Sequence, residues 1–526
     1  MEPSPATSYD DVPYTSYPYV RTSPDRLCTL ARLFGVAAVA PAEARVLELG
    51  CASGGNLLPL ADRSPGGRFV GVDLSARQIE AGRDLAAEAG LANVELRHAS
   101  ILDVDASWGQ FDYVVCHGVY SWVPPDVQRH ILAICRDALS PAGVAYISYN
   151  TYPGWHMREM VRHMMRYHVR GIPDAKRQVA QARALVDFLA KAVEPQPGPY
   201  ALLLQRELAV LSRMGDDYLY HEHLEDQNQP VYFHEFVERL ESHELQYLCE
   251  SDVHMMLTRE FVPEVRDTLD RIAPDLVRME QYGDFVRNRQ FRASLVCRRE
   301  LSLRRALGPE AIMGCRIGFP GRSDGTPVDL APGVVQEFEN AEGLKIGSSQ
   351  SVTKAALLLM RREWPADLAF EELASRAIGL AREAGIDLAD DERSRVALAA
   401  DLLECLVSGA GIELRTEAPA FVGVASERPR AAPTSRAQAR RHAFATNARH
   451  QRVDLDTLAA AVVPVCDGAH DRAGMLEHLV GLAVADKLTV ERGDDRVRDP
   501  DVLREGLRPV LERTLERLAQ HALLEA

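Results

Sequence analysis

Residues 46–61 read VLELGCASGGNLLPLA: a short apolar run, a glycine-rich turn and the beginning of a helical pattern. Glycines at such a turn let the backbone approach a ligand closely, and the start of the helix offers free N–H groups. Across 45–150, further apolar runs alternate with helical patterns in the same way. Continuous apolar runs separated by helices are typical of buried parallel strands in βαβ units. The stretch therefore predicts an α/β sheet that binds a ligand at the carboxyl edge of its strands.

The composition of the 526-residue chain is that of a globular protein with several domains, because 46% of its residues are hydrophobic and 26% are charged. A formal net charge of −16 disfavours nucleic acid as a partner, since such binding depends on neutralising phosphates. The nine cysteines are scattered singly, which favours reduced thiols in the cytoplasm. No apolar stretch approaches the length of a membrane-spanning helix, so membrane insertion is not expected.

The pattern predicts three domains. The first, 1–300, carries the sheet, a helical insertion at about 153–228 and two more strands that close the sheet. The second, 301–427, and the third, 428–526, each combine three helical patterns with short strands, which is the outline of a winged helix. The arginines within 428–452 are interpreted as part of a solvated linker, with partner binding as the alternative.

The glycine loop does not fit a dinucleotide. A pyrophosphate site needs the pattern GxGxxG, whereas Gly50 and Gly54 are separated by Ala52 at the middle position. An acid, Glu48, precedes the first glycine, and this arrangement suits S-adenosylmethionine, whose carboxylate meets the glycines while the acid holds its cationic amino end. Asp73 ends the next predicted strand, from which a carboxylate can bind both ribose hydroxyls. Since alanine allows the ordinary negative φ, we expect the loop to form with Ala52 in place of the usual middle glycine.

These motifs resemble those of class I S-adenosylmethionine-dependent methyltransferases. One bacterial group is similar over FDYVVCHGVYSWVP (111–124), LSPAGVAYISYNTYPGWH (139–156) and HEHLEDQNQPVYFHEFVE (221–238). In that group a methyltransferase regulatory region, here about 216–300, and a C-terminal winged helix follow, and the best-understood members are protein lysine methyltransferases that modify surface proteins. The resemblance implies a Rossmann-like seven-stranded methyltransferase sheet with a helical insertion, followed by two mainly helical winged-helix-like modules.

The resemblance also implies S-adenosylmethionine as cofactor, S-adenosylhomocysteine as product, and a set of cofactor-binding residues at the strand ends. The expected residues are Glu48, Gly50, Cys51, Gly54, Asp73, Leu74, Ser100, Ile101, His117 and Tyr14, the last on an N-terminal flap with Tyr9 and Tyr17. Ser100 stands where an aspartate commonly binds the adenine amine, and a hydroxyl is a weaker acceptor than a carboxylate. A capping role is an equal alternative for His117.

Aromatic and polar residues after the fourth and fifth strands are candidates for the acceptor side. A lysine must lose its proton before methyl transfer, and aromatic faces tolerate the cation while polar groups orient the lone pair. We expect Tyr120 and Asn150 to be catalytic, and we predict contacts with the acceptor for Trp122, Tyr149, Tyr152, Trp155 and Glu222. The alternative is that the rings only pack the insertion onto the sheet. His221 and His223 lack a third ligand at a known spacing, so no metal is expected.

Three functions stay open. Methyl transfer to lysine side chains of a protein acceptor is favoured, because a large insertion and two accessory modules suit a bulky acceptor. The alternatives are a small-molecule N- or O-methyltransferase and a non-catalytic regulator that binds S-adenosylmethionine. The helical pattern DDERSRVALAADLLECL (390–406) offers acids and alanines where a DNA-reading helix needs Arg, Lys, Asn or Gln. The modules are therefore predicted to grip the substrate or to form a homodimer.

Overall fold

The computed structural model describes most of the chain, namely residues 15–195, 198–259, 261–322, 327–340, 342–409, 411–492 and 495–525. None of the described helices is both long and apolar enough to cross a membrane.

A seven-stranded sheet forms the centre of the N-terminal part. Its strands are β1 (Arg45–Leu49), β2 (Arg68–Asp73), β3 (Val94–His98), β4 (Phe111–Cys116), β5 (Leu139–Asn150), β6 (Leu245–Glu250) and β7 (Phe291–Arg298). They lie in the order β3-β2-β1-β4-β5-β7-β6. The first five strands pair in parallel, whereas β7 runs antiparallel to both β5 and β6. The strand order reverses between β1 and β4, and in such sheets the crevice at that point binds the ligand. The predicted Rossmann-like sheet is confirmed.

Helices cover both faces of the sheet. They are α1 (Pro24–Leu33), α2 (Leu57–Arg63), α3 (Ala76–Ala89) and α4 (Pro125–Ala138). Successive residues of a strand point to opposite faces, so Val46 packs into a core with α1, α2 and α3 while Leu47 packs into a core with α4. The sheet is therefore buried on both sides, which explains the continuous apolar runs in its strands.

The helical insertion after β5 has a core of its own. It consists of α5 (Trp155–Val169), α6 (Ala175–Val193), α7 (Pro199–Leu211), α8 (Asp216–Leu219) and a π-helical turn (Tyr220–Leu224). Val161, Met165 and Leu204 are fully buried in this separate cluster. The insertion thus forms a wall that stands beside the carboxyl end of β5.

A buried ion network fixes the two strands that close the sheet. The surrounding helices are α9 (Phe233–Ser242), α10 (Pro263–Ile272) and α11 (Leu276–Arg287). Arg292 on β7 donates to Glu250 on β6 at 2.9 Å, and to Asp284 and Glu280 on α11 at 2.8 and 2.9 Å. All four side chains are buried, so removing one partner would leave an uncompensated buried charge.

The middle part of the chain combines helices with two small sheets. Its helices are α12 (Glu310–Met313), α13 (Ser351–Glu363), α14 (Phe370–Glu383) and α15 (Glu392–Val407). Its strands are β8 (Arg316–Gly318), β9 (Gln336–Glu339), β10 (Lys345–Ser348), β11 (Leu368–Ala369) and β12 (Glu413–Arg415). Strands β11, β8 and β12 form an antiparallel sheet in that order, and β9 pairs with β10. This part of the chain is thus mainly helical, as predicted, with short antiparallel strands.

The C-terminal part is a winged helix. Its helices are α16 (Pro433–Arg441), α17 (Thr457–Val462), α18 (Arg472–Val484) and α19 (Pro500–Gln520). Its short strands are β13 (Arg430–Ala431), β14 (Phe444–Thr446), β15 (Arg452–Asp454), β16 (Glu491–Arg492), β17 (Asp495–Arg496) and β18 (Leu524–Glu525). Val462, Leu479 and Leu515 are fully buried in a core that belongs to this module alone.

The arginine-rich segment 428–452 is not a solvated linker, so that prediction is wrong. The segment forms α16, which packs against α2 and α3 of the first domain. Arg440 Nη1 lies 2.6 Å from Glu88 of α3, and Arg441 pairs with the same carboxylate. Arg449 is 1% exposed at its side chain and binds the middle module. The composition of the segment alone is that of a linker. It does not reveal the acids that pair with these arginines, because those acids lie far away in the sequence.

Candidate active site

The glycine loop leaves β1 with three residues in the left-handed region. Gly50, Ala52 and Gly54 have φ of 74°, 46° and 73°. The loop forms, but Ala52 does not adopt the ordinary negative φ, and an L-residue pays about 1–2 kcal/mol for this conformation. The Ala52 N–H donates to Asp73 Oδ2 at 2.8 Å, which offsets part of that strain. A Cβ on Gly50 would lie 2.5 Å from Val119 Cγ2, so a side chain there would obstruct the loop.

The buried carboxyl of Glu48 faces this loop. Oε1 accepts a hydrogen bond from Asn56 Nδ2 at 2.9 Å, whereas Oε2 is buried with no partner among the described residues. Burial raises the pKa of Glu48 to about 8, the nearby Asp73 charge adds to the rise, and the Asn56 hydrogen bond opposes it. A cationic group against Oε2 would satisfy this oxygen and restore the ionised form.

Asp73 ends β2 at the crevice. One of its oxygens binds the Ala52 N–H, and the other accepts from the Ser75 N–H at 2.9 Å. These bonds hold the carboxylate at the mouth of the loop. Leu74, the next residue, is 44% exposed. The exposed leucine lies beside the fixed carboxylate of Asp73. If the sugar of a ligand binds this carboxylate, the leucine can cover the flat apolar ring that is attached to the sugar. Cys51 lies buried in the loop, and its N–H donates to Val72 O at 3.0 Å.

After β3 the structure brings a carboxylate next to Ser100, the position at which an aspartate is common. Ser100 caps the short 3₁₀ turn Ile101–Asp103: its Oγ accepts from the Leu102 N–H, and its own N–H donates to Asp103 Oδ2 at 2.9 Å. Asp103 therefore folds back next to Ser100. Ile101 is half-buried at the same turn. The sequence signal for this arrangement is the capping box formed by the first and last residues of SILD.

His117, which follows β4, lies under the N-terminal segment. Its ring centroid is 4.0 Å from that of Tyr19, and Nδ1 is 3.1 Å from the Tyr146 hydroxyl. Burial, aided by Arg21, lowers the pKa of His117 to about 4, so the ring is neutral at physiological pH. Ser16 Oγ accepts from the Gly55 N–H at 2.9 Å, which places this segment over the glycine loop.

Of the three tyrosines that were predicted to form the N-terminal flap, one lies within the described residues. Tyr14, like Tyr9, lies outside the described residues. Tyr17 contacts the winged helix, with its ring centroid 5.2 Å from that of Phe444. Of the described N-terminal tyrosines, Tyr19 is the one whose ring contacts a predicted cofactor residue, His117, at a tilt of 47°, and the sequence analysis did not include it.

On the acceptor side, two tryptophans and two asparagines come together. The rings of Trp122 and Trp155 meet edge to face with centroids 6.3 Å apart. Asn150 at the end of β5 donates from Nδ2 to Asn228 Oδ1 at 3.1 Å. Trp155 Nε1 and Asn228 Nδ2 are buried without a hydrogen-bond partner among the described residues. Two unpaired buried donors beside aromatic faces make this a polar site that a ligand can complete.

Glu222 is linked to these rings through an arginine. The Arg158 guanidinium lies 5.5 Å from the centre of the Trp155 ring, and its Nη1 is 3.4 Å from Glu222 Oε1. Burial raises the pKa of Glu222 to about 7, against the opposing effects of Arg158 and Arg162. The carboxyl can therefore take up or release a proton near neutral pH. The Tyr152 hydroxyl donates to Glu159 Oε2 at 3.2 Å.

The side chains of Tyr120 and Tyr149, which were predicted to be a catalytic and a substrate-binding residue, lie in the core beside the sheet. Their side chains are 0% and 1% exposed, and both rings pack against Phe236 of α9. The hydroxyl of Tyr120 faces Arg239, while that of Tyr149 faces Ser294 on β7. The alternative interpretation, that such rings pack the fold, applies to these two residues because α9 covers the face of the sheet to which they point.

Among the described residues, no three or more His, Cys, Asp or Glu side chains lie together in a way that could hold a metal ion. His223 is buried with neither ring nitrogen bonded there, and burial lowers its pKa to about 3. His221 instead binds Glu225 at 2.8 Å. These histidines therefore belong to the packing of the insertion.

Family models match three parts of the chain. A methyltransferase domain matches residues 46–143, a predicted methyltransferase regulatory domain matches 215–298, and a PKMT C-terminal winged-helix domain matches 427–523. The parts of the structure that they cover are the glycine-loop side of the sheet, the region of β6 and β7, and the winged helix.

Relatives extend the match to nearly the whole chain. An uncharacterized protein of Rickettsia prowazekii (strain Madrid E) is 33% identical over 98% of this chain and 93% of its own length. A second uncharacterized protein of that organism is 42% identical over 44% of this chain and 93% of its own length. The structure of PKMT2 from Rickettsia typhi in complex with AdoHcy is similar with a TM-score of 0.85 at 30% identity, covering 97% of this chain and all of that one.

The chain belongs to this family of class I methyltransferases with a regulatory domain and a C-terminal winged helix. It is an S-adenosylmethionine-dependent methyltransferase. The residues at the strand ends fit this cofactor, since the unpaired oxygen of Glu48 is suited to its ammonium group and Asp73 is suited to its ribose hydroxyls.

Proposed function

We propose that this methyltransferase modifies lysine side chains of a protein acceptor. The observation that carries the proposal is the acceptor-side cluster, in which Trp122, Trp155, Asn150 and Asn228 combine aromatic faces with unpaired polar groups. Aromatic faces attract an ammonium group, and the amides can orient its nitrogen once it is neutral. The similarity to PKMT2 from Rickettsia typhi over 97% of the chain supports the same class of acceptor.

The cofactor is assigned to the glycine-loop side. When bound, S-adenosylmethionine supplies its methyl group as an already activated sulfonium, so alignment contributes most of the catalysis. Glu48 holds the ammonium end, Asp73 binds the ribose hydroxyls, and Leu74 covers the adenine. Asp103, positioned by Ser100, accepts the hydrogen bond of the adenine amine. His117 and Tyr19 close the site from the N-terminal side.

The acceptor nitrogen must lose a proton before it attacks the methyl carbon. Its unperturbed pKa of about 10.4 makes lysine a cation at pH 7, and the exclusion of water from the closed site disfavours that charge. The ionised form of Glu222 accepts the proton and thereby leaves the lone pair free. Arg158 holds Glu222 at the rim of this cluster. The role of Tyr152 is to support the rim through Glu159.

The test is a labelling experiment with the full chain. The protein is incubated with methyl-labelled S-adenosylmethionine and host extract, and the products are separated by size. We expect label in a discrete protein band, on lysine by mass spectrometry, and no label with the Asp73→Ala variant. Label among small molecules alone would contradict a protein acceptor. Cofactor binding without label in any fraction would contradict catalysis and favour a regulator.

We further propose that the chain divides into domains at 1–300, 301–427 and 428–526 and that it acts in the cytoplasm. The separate hydrophobic cluster of the winged helix supports the boundary near 428. All nine cysteines are unpaired, which supports a reducing compartment.

A further inference from the structure

A loop of the winged helix reaches the rear of the glycine loop. His450 lies in this loop with φ of 60° and is buried. Its Nε2 is 2.8 Å from Oδ1 of Asn56, the residue that precedes α2. Asn56 in turn donates to Glu48. A side chain of the C-terminal domain is thus connected through one amide to the carboxyl assigned to the cofactor's ammonium group.

The directions of the hydrogen bonds that link His450, Asn56 and Glu48 are fixed by the neighbouring groups. The Tyr19 N–H can only donate, and it lies 2.9 Å from Asn56 Oδ1. The amide oxygen therefore faces Tyr19 and His450, and the amide nitrogen faces Glu48. His450 must carry its single ring proton on Nε2, since burial together with Arg63 and Arg415 lowers its pKa to about 3. Asn56 is in this way oriented to donate to Glu48.

The loop is held rigidly by the domain that carries it. Asn447 Oδ1 accepts from the N–H groups of Arg449 and Gln451 at 3.0 and 2.8 Å, and Asn447 Nδ2 donates to the carbonyl of His521 after α19. The neighbouring Arg449 donates to Pro365 O of the middle module at 2.7 Å. The position of His450 therefore follows the position of the winged helix as a whole.

We propose that His450 is a positioning residue of the cofactor site, through which the winged-helix domain orients Asn56 and Glu48 and so controls S-adenosylmethionine affinity. When the amide nitrogen of Asn56 faces Glu48, its N–H donation stabilises the ionised form of Glu48. The ionised form is the one that attracts an ammonium group. Without His450, the amide oxygen loses one of its two buried N–H donors, and Asn56 is held only by the Tyr19 N–H and by Thr22, so its orientation toward Glu48 is less firmly fixed. The inference rests on the proposed role of Glu48 and is independent of the identity of the acceptor.

The test is calorimetric titration of the full chain with S-adenosylhomocysteine. His450→Asn tolerates the left-handed backbone but is too short to reach Asn56, because its amide nitrogen corresponds to Nδ1 of the ring. We expect its Kd to rise about tenfold, the effect of losing one buried hydrogen bond. His450→Gln places an amide donor at the reach of Nε2 and is expected to restore Kd to within about threefold of the wild type, on the same scale.

A matched control separates this role from docking of the domain. Thr434 lies in the same interface, where its hydroxyl and N–H bind Asp62 at 2.6 and 2.8 Å without a link to Glu48. Thr434→Val is expected to lower the Tm and to leave Kd unchanged. An equal rise in Kd for Thr434→Val and His450→Asn would overturn the proposal in favour of general docking.

A second control tests the residue through which His450 acts. Glu48→Gln is expected to raise Kd at least as much as His450→Asn. If Glu48→Gln raises Kd and His450→Asn does not, the role of His450 is refuted while that of Glu48 stands. If neither variant changes Kd, the assignment of Glu48 to the cofactor is itself wrong.

Discussion

The cofactor side and the acceptor side of the crevice are built in different ways. On the cofactor side, Glu48, Gly50, Gly54 and Asp73 come from two adjacent strands and the loop between them, and backbone geometry places them. On the acceptor side, Trp122, Trp155 and Asn228 come from three separate segments and meet only through packing of the insertion. The comparison teaches that the cofactor site of this chain is built mainly from local backbone geometry, whereas its acceptor site depends on long-range contacts.

The largest effect is expected from Asp73→Ala. The carboxylate binds the Ala52 and Ser75 N–H groups and is assigned to both ribose hydroxyls. Loss of two charge-assisted hydrogen bonds corresponds to a rise of at least about 100-fold in Kd, measured by calorimetry. Glu80→Ala removes an exposed carboxylate from α3 and serves as the control, with Kd unchanged. Unaltered affinity in Asp73→Ala would break the assignment of the cofactor side.

A smaller effect, which is limited to the acceptor side, is expected from Glu222→Gln. Its amide keeps the shape of the side chain but cannot accept a proton, so kcat should fall at least about tenfold while cofactor Kd stays constant. Only the ionised carboxylate can act as base, and the pKa of Glu222 is about 7. The wild-type rate should therefore rise as pH increases through 7, and the variant should lack this rise.

Glu225→Gln is the matched control for Glu222, because Glu225 lies three residues away and binds His221. It is expected to retain the wild-type pH profile of the rate. A Glu222→Gln enzyme with full kcat and an unchanged profile would show that another group removes the proton, and the acceptor side would then need reassignment.

The smallest effect is expected from Asp103→Asn. An amide oxygen still accepts a hydrogen bond but without the charge, so the Kd for S-adenosylhomocysteine should rise by less than about fivefold. Ser100→Asp sharpens the comparison. If Asp103 serves the adenine amine, the added carboxylate gives no gain in affinity. Tighter binding by Ser100→Asp would instead show that residue 100 contacts adenine directly.

The sequence alone predicted the parallel strands, the glycine loop and the acids at the ends of β1 and β2. Their signals are local, because buried parallel strands give continuous apolar runs and the loop geometry selects glycine. The left-handed φ of Ala52 and the folding back of Asp103 are also local. They were missed because a single residue type does not specify its backbone conformation, and a capping box reads like any polar turn.

Only the tertiary structure decided which side chains face the crevice. Tyr120 and Tyr149 have the residue type expected of an acceptor site, but α9 covers their face of the sheet. His450 and the arginines of α16 read as a polar linker, and their partners Asn56 and Glu88 lie hundreds of residues earlier. Sequence periodicity fixes local structure because neighbouring residues share a backbone. Contacts between distant segments depend on how whole domains pack, and no local pattern encodes that packing.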